Sequence, residues 1–164
     1  MSTALPLRVG IGYDSHRFGE GGPMRLGGID IPADRHCAGH SDGDAICHAV
    51  TDALLGAAAL GDIGEMFPDT DVANKGKDST VMLSAVVARL HHAGWRVGNV
   101  DITVVTQRPK IGPHRAAIRA RLAELLEVAD SDVFVKGKTN ELMGWIGREE
   151  GLAVMATATV LPRR

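Results

Sequence analysis

The stretch Val9-Gly10-Ile11-Gly12-Tyr13-Asp14-Ser15-His16 reads as an N-terminal β-strand, from about Leu7 to Tyr13, that ends in two groups able to bind metal. In extended chain, residues i and i+2 point to the same side, so Asp14 and His16 can face one point. A third such group, His48, follows on a helix that opens near His40-Ser41-Asp42-Gly43-Asp44. Two imidazoles and one carboxylate would give a divalent metal such as zinc three protein ligands and one open position, the arrangement of a catalytic site. Asp-x-His alone also occurs at polar strand ends in solvent, so the metal reading needs support from the rest of the chain.

Working outward, Ser41 is placed to cap the helix, with Asp44 as its capping-box partner. From Ala45 to Leu60 the residues Ile46, Val50, Ala53, Leu54 and Ala57 recur at helical spacing. So many small residues predict that another element packs very close to this helix. His48 lies one helical turn from both Asp44 and Asp52, either of which could accept the ring N–H that a metal leaves unused. His40, Ser41 and the amides of Asp42 and Gly43 sit where a helix start attracts an anion. A metal beside an anion site suits a phosphate substrate.

The remaining elements follow from period and punctuation. Met24 to Ile31 predicts a short hairpin turning at Gly27-Gly28, and Pro32 to Gly39 a loop. Phe67-Pro68-Asp69-Thr70-Asp71 begins an acidic loop that runs to about Lys77. Asp78-Ser79 caps a second helix that buries Val81, Leu83, Val86, Val87 and Leu90 and stops at Gly94. Val97 to Gln107 reads as a long central strand, and Pro113 to Val128 as a third helix with Ile118, Leu122, Leu125 and Leu126 inward. A strand from Asp132 to Lys138, a loop to Arg148 and a last strand from Leu152 to Leu161 complete the order. The expectation is an α/β two-layer sandwich: one mixed sheet of about four strands with helices on one face, and a single domain with its core at about 8–161.

Composition narrows the functional classes. A net charge of −2 gives no bulk attraction to nucleic acid or to an anionic membrane, so neither partner is expected. No apolar run approaches the roughly 18–20 residues of a membrane span, and Met1 to Leu7 is too short for a secretory signal. Cys37 and Cys47 form neither a metal spacing nor a disulfide framework, which suits a reducing, cytoplasmic setting. The one basic cluster, at 108, 110, 115, 119 and 121, reads as a solvated helix face. With aromatics at only 4%, Trp95 and Trp145 are expected in packing or an interface.

Gly12-Tyr13-Asp14-Ser15-His16-Arg17-Phe18, His40-Ser41-Asp42-Gly43-Asp44, Thr51 to Ala57, Gly61-Asp62-Ile63-Gly64 and Phe67-Pro68-Asp69-Thr70-Asp71 together resemble the 2-C-methyl-D-erythritol 2,4-cyclodiphosphate synthase family. Asn99-Val100-Asp101, Pro109-Lys110, Lys136, Thr139-Asn140-Glu141 and Gly147-Arg148 continue the likeness in register from about Arg8 to Leu161. The resemblance implies a homotrimer with active sites between subunits. It implies cyclisation of 4-diphosphocytidyl-2-C-methyl-D-erythritol 2-phosphate with loss of CMP, a step toward isoprenoid precursors by the non-mevalonate route. By motif position, Asp14, His16 and His48 would hold zinc, and Glu141 a second ion, magnesium or manganese. Thr139 would join these four in catalysis as a hydrogen-bond donor to the diphosphate. His40, Ser41, Asp62, Gly64 and Asp69 would face the substrate. Thr106, Lys110, Ile111 and Gly112, with Gly137, Lys138 and Thr139 of the adjacent subunit, would hold the cytidine diphosphate part. Arg148 would sit near the anionic end of an isoprenoid diphosphate in the trimer cavity.

Departures from the family pattern are local. Ser15 stands where Val is common, Lys138 where a small hydroxyl residue is common, and Met155 where an acid is common. Arg148-Glu149-Glu150-Gly151 replaces the commoner Arg-Gly-Glu-Gly. Two other readings fit the same residues: a zinc-dependent phosphoesterase of another nucleoside diphosphate derivative, and an inactive trimer that binds an isoprenoid diphosphate.

Overall fold

The computed structural model describes residues 7–163; the stretch from Met1 to Pro6, most of the segment read above as too short for a secretory signal, lies outside the described residues. The elements in order are β1 (Arg8–Glu20), β2 (Met24–Leu26), β3 (Ile29–Ile31), β4 (Arg35–Cys37), α1 (Ala45–Ala58), α2 (Ile63–Met66), α3 (Ser79–His92), β5 (Trp95–Val105), α4 (Arg115–Leu126), β6 (Val133–Lys138), α5 (Gly144–Gly147) and β7 (Gly151–Pro162). Among the described residues no helix is long and apolar enough to cross a membrane.

The main sheet has the order β4-β1-β7-β5-β6, with β5 and β6 parallel and the other pairs antiparallel. The sheet thus has five strands where about four were expected. The addition is β4, inside the segment expected to be a loop; three residues are too few to show an alternating pattern. β1 also extends well past Tyr13, because β7 pairs with it as far as Arg17↔Gly151 and β4 then takes Phe18 to Glu20. Asp14 and His16 therefore sit within a strand, opposite Val154 and Leu152 of β7, not at its end. The hairpin at Gly27-Gly28 forms as expected, as a separate two-stranded unit of β2 and β3.

Helices α1, α3 and α4 cover one face of the sheet. The even-numbered residues of β1 turn toward them and the odd ones away, so Gly12 is buried while Ile11 is 73% exposed. Val9 and Tyr13 of β1, Met155 of β7 and Phe134 of β6 are exposed as well. The Ala-rich α1 has the close neighbour its composition predicts. A Cβ on Gly12 would lie 1.8 Å from the Ala49 carbonyl oxygen, and one on Gly10 2.0 Å from that of Ala53. On α3 the buried stripe includes Met82, whereas Val81 is 56% exposed, a shift of one position from the expected face.

Two members of the basic cluster do more than face water. Arg119 Nε donates to the Val133 carbonyl at 2.7 Å and Arg115 Nε to the Val135 carbonyl at 2.8 Å. β6 is an edge strand, and its outward carbonyls would otherwise be free to pair with another chain. Both guanidinium groups also lie over the Phe134 ring.

Gly12→Ala is expected to destabilise the fold by about 1–3 kcal/mol or more, the range for overpacking a filled core, since helix backbone must move to admit the methyl group. Gly56→Ala, within α1 and with nothing near its would-be Cβ, should be neutral or stabilise by up to about 1 kcal/mol. Urea unfolding checks this: the midpoint should fall for the first variant only, with unchanged slope.

Candidate metal centre and neighbouring cavities

Three donor atoms converge where β1 passes α1. Asp14 Oδ2 lies 2.8 Å from His16 Nε2 and 3.1 Å from His48 Nδ1, and the two ring nitrogens are 3.4 Å apart. The alternation of β1 aims Asp14 and His16 at the helix layer, and Gly12 lets α1 approach closely enough for His48 to reach them. Among the described residues this is the one group of three such side chains with ligand atoms within 4.8 Å of one another. Two neutral imidazoles and a carboxylate are a donor set suited to a divalent metal ion.

Each ring nitrogen facing away from the cluster has its own partner. His16 Nδ1–H donates to the Ala38 carbonyl at 2.9 Å. His48 Nε2 lies 2.8 Å from Ser79 Oγ and 3.1 Å from Ser41 Oγ. Neither carboxylate expected to receive His48 does so. Asp44 is fully buried and is the true N-cap of α1; it accepts from the backbone N–H groups of Gly27, Gly28 and Cys47 at 2.7–3.0 Å. Asp52 accepts the Ile63 N–H at 2.8 Å, fixing the entry to α2. Ser41 is thus not the helix cap. The Asp42 N–H goes to the Lys77 carbonyl and that of Gly43 toward Ser41 Oγ, so these amides do not form the expected anion site.

The electrostatics follow from this packing. Burial opposes charge on Asp14, but the hydrogen bonds from His16 and His48, with their positive field, hold its carboxyl below the usual value. Burial likewise opposes charge on His16, and the hydrogen bond and charge of Asp14, with the Ala38 carbonyl, raise it above the ordinary 6.5. Burial also pushes Asp52 up, aided by the charges of Asp62 and Asp14, against the Ile63 N–H.

The triad lies in the wall of a cavity of about 230 Å³ that is also lined by His40, Ser41, Gly64 and Asp69. Ile63, Phe67, Asn74 and Met82, which sequence reading did not single out, complete it. Asp62 instead caps α2, with its carboxylate accepting the Glu65 N–H at 2.8 Å. A second cavity of about 320 Å³ gathers Thr106, Lys110, Ile111, Gly112, Gly137, Lys138 and Thr139. The sheet register brings Val105 level with Ser15, so both cavities open at the same end of the sheet. The second is carried by β5 and β6, two and three places from β1, roughly 10 and 14 Å away at the usual strand spacing.

Glu141 and Arg148 lie in neither cavity wall. Glu141 is exposed beyond β6 at φ +52°, with Thr139 Oγ1 3.4 Å from its carboxylate. Arg148 Nε donates to Glu150 at 2.6 Å. Glu149, standing where the family pattern has Gly, keeps the left-handed φ of +58°, and its carbonyl accepts from Arg35 at 2.7 Å.

Comparison with known proteins gives one answer. The YgbB family profile matches residues 7–161. The 2-C-methyl-D-erythritol 2,4-cyclodiphosphate synthase of Gemmatimonas aurantiaca is 84% identical over 158 residues, 96% of this chain and 95% of that protein. The enzyme of the same name from Pseudomonas aeruginosa is 54% identical over 96% of this chain and all of its own length. Among solved structures, the Plasmodium falciparum IspF–CDP complex matches with a TM-score of 0.84 at 33% identity, covering 96% of this chain and 97% of that one. The bifunctional IspDF of Campylobacter jejuni matches at 0.91 and 38% identity over 95% of this chain, which spans only 42% of that protein. The chain belongs to the YgbB family, the family of the 2-C-methyl-D-erythritol 2,4-cyclodiphosphate synthases.

Proposed function

We propose that the chain cyclises 4-diphosphocytidyl-2-C-methyl-D-erythritol 2-phosphate to 2-C-methyl-D-erythritol 2,4-cyclodiphosphate and releases CMP. The observation that carries this reading is the convergence of Asp14, His16 and His48 on one point in the wall of a cavity. Zinc suits the set: tetrahedral bonds of about 2.0–2.1 Å put ligand atoms roughly 3.3 Å apart. The observed separations of 2.8–3.4 Å surround that value. Glu141 is the candidate ligand for magnesium or manganese, which commonly binds one carboxylate together with substrate phosphates. When bound, the two ions neutralise phosphate charge at the attacking, central and leaving positions.

In the reaction the substrate's 2-phosphate oxygen forms a bond to the β-phosphorus. The bond from that phosphorus to the bridging oxygen breaks, and the electron pair leaves with CMP. No protein nucleophile is required, so the chain's own task is to hold two anions in line. His40 and Ser41 present polar groups beside the triad, while Gly64 and Asp69 bound the methylerythritol end with Asp62 behind them. Lys110, Lys138 and Thr139 supply positive charge and a hydroxyl in the second cavity, which Thr106 also lines, the reading for the cytidine diphosphate part.

A homotrimer with sites between subunits accounts for the distance between the cavities: the second cavity of one protomer would face the metal centre of the next. The exposed Val9, Ile11, Tyr13, Phe134 and Met155 on the uncovered sheet face support such packing. Arg148 would then stand near an isoprenoid diphosphate in the central cavity, although its pairing with Glu150 competes for that role. We read residues 8–161 as one such domain. The free, buried Cys37 and Cys47, with burial pushing the Cys37 thiol up to about 12, fit a cytoplasmic setting.

Incubation of the full chain with the cytidine diphosphate substrate, zinc and magnesium should produce two coupled cyclic-diphosphate resonances in phosphorus NMR, together with CMP. His48→Ala should reduce the rate roughly a thousandfold, about 4 kcal/mol of transition-state stabilisation. Linear phosphate products would instead establish a hydrolase.

Because His16 keeps its proton above pH 6.5 in the metal-free chain, zinc must displace it. Affinity should therefore rise with pH through that region and level off above the raised pKa. Calorimetry in buffers of different ionisation enthalpy should show up to about one proton released per ion near neutral pH, falling toward zero at higher pH.

A further inference from the structure

We propose that Ser79 and Asp42 form a positioning relay that fixes His48 as a metal ligand through Nδ1, an inference that rests on the metal reading above. Ser79 is the first residue of α3 and is fully buried. Its hydroxyl hydrogen goes to Asp42 Oδ1, and its backbone N–H goes to Asp42 Oδ2 at 3.0 Å. With its one hydrogen committed, Ser79 Oγ offers only lone pairs to His48 Nε2, 2.8 Å away. The imidazole must then carry a hydrogen on Nε2. When a metal takes the place of the hydrogen bond from Nδ1 to Asp14, Nε2 keeps that hydrogen and the Nδ1 lone pair is the one left for the ion beside Asp14 and His16.

Asp42 is itself held. Its Oδ1 accepts the Asp44 N–H at 3.2 Å, and Arg25 Nε lies 3.9 Å from Oδ2. The relay therefore runs from the hairpin, through the segment before α1 and the start of α3, to the ring of His48. Ser41 Oγ is the more distant acceptor for the same ring N–H, at 3.1 Å. The Ser41 hydroxyl hydrogen is thereby left to point at a ligand in the cavity it lines. His16 differs, since a backbone carbonyl orients it and no side-chain substitution removes that partner. Of the two histidines, His48 is the one whose orientation is set by replaceable side chains.

The test uses the full zinc-loaded chain. Zinc affinity is measured by competition with a chromophoric chelator for wild type, Ser79→Ala and His48→Ala, and two-bond proton–nitrogen NMR reports which nitrogen of His48 bears hydrogen. The relay predicts a Nε2–H signal for His48 in wild type. It also predicts roughly 10–100-fold weaker zinc binding in Ser79→Ala, the usual cost of losing a group that orients a ligand. Activity of that variant should recover at saturating zinc with KM unchanged. Wild-type affinity in Ser79→Ala, alongside lost binding in His48→Ala, would overturn the relay and leave the metal centre standing. Equal, weak binding by wild type and His48→Ala would overturn both. Should Ser79→Ala fail to fold, the wild-type spectrum decides: hydrogen on Nδ1 with zinc on Nε2 refutes the relay, and the reverse supports it.

Discussion

The closeness of β1 to α1 is the constraint on which the rest depends. Gly10 and Gly12 bring the strand backbone against the carbonyls of Ala49 and Ala53 with no side chain between. Gly12 lies two residues before Asp14 on the same side of the strand, and Ala49 directly follows His48. The contact that packs helix on sheet therefore also sets the span across which His48 meets Asp14. A larger residue at either glycine would widen the layer and pull the donor atoms apart. Core packing and site geometry are here one requirement.

A buried carboxylate keeps the helix at its place along the strand. Asp44 accepts two N–H groups from the Gly27-Gly28 turn and one from the first turn of α1, so the charge is compensated by three amide dipoles. The hairpin is thereby fastened to the helix start. The intervening segment, from β4 through Asp42, is left to supply His40 and Ser41 to the cavity and Asp42 to Ser79. One polar cluster under the hairpin thus organises four neighbouring elements: β2, β3, α1 and α3.

Much of this was legible in the sequence because the signals were local or periodic. Alternation placed Asp14 and His16 on one side, helical spacing found α1, and the density of Ala in α1 announced a close neighbour. Motif likeness gathered Thr106, Lys110, Ile111 and Gly112 with residues 137–139, and the fold brings these into one cavity. What was not legible depends on contacts between distant segments. Asp44 looked like a partner for His48 because both lie on one helix, but the turn at Gly27-Gly28 claims its oxygens first. Ser79 read as a helix cap, since nothing in Asp78-Ser79 reveals a histidine thirty-one positions upstream. β4 was invisible because only its pairing with Phe18 to Glu20 makes three residues a strand. Val81 lies two, five, six and nine positions from Leu83, Val86, Val87 and Leu90, which turns it to the opposite side of the helix, and Met82 is buried instead.

The guanidinium groups along β6 bear on how copies of the chain can meet. With Arg115 and Arg119 occupying the carbonyls of Val133 and Val135, that border cannot template a further strand without first losing two charged donors. At the opposite border β4 covers only Phe18 to Glu20, and Arg8 to Arg17 of β1 pair with β7 alone. Lateral extension of the sheet into open-ended ribbons is therefore disfavoured at the β6 margin. The proposed homotrimer would use the exposed apolar face of the sheet instead.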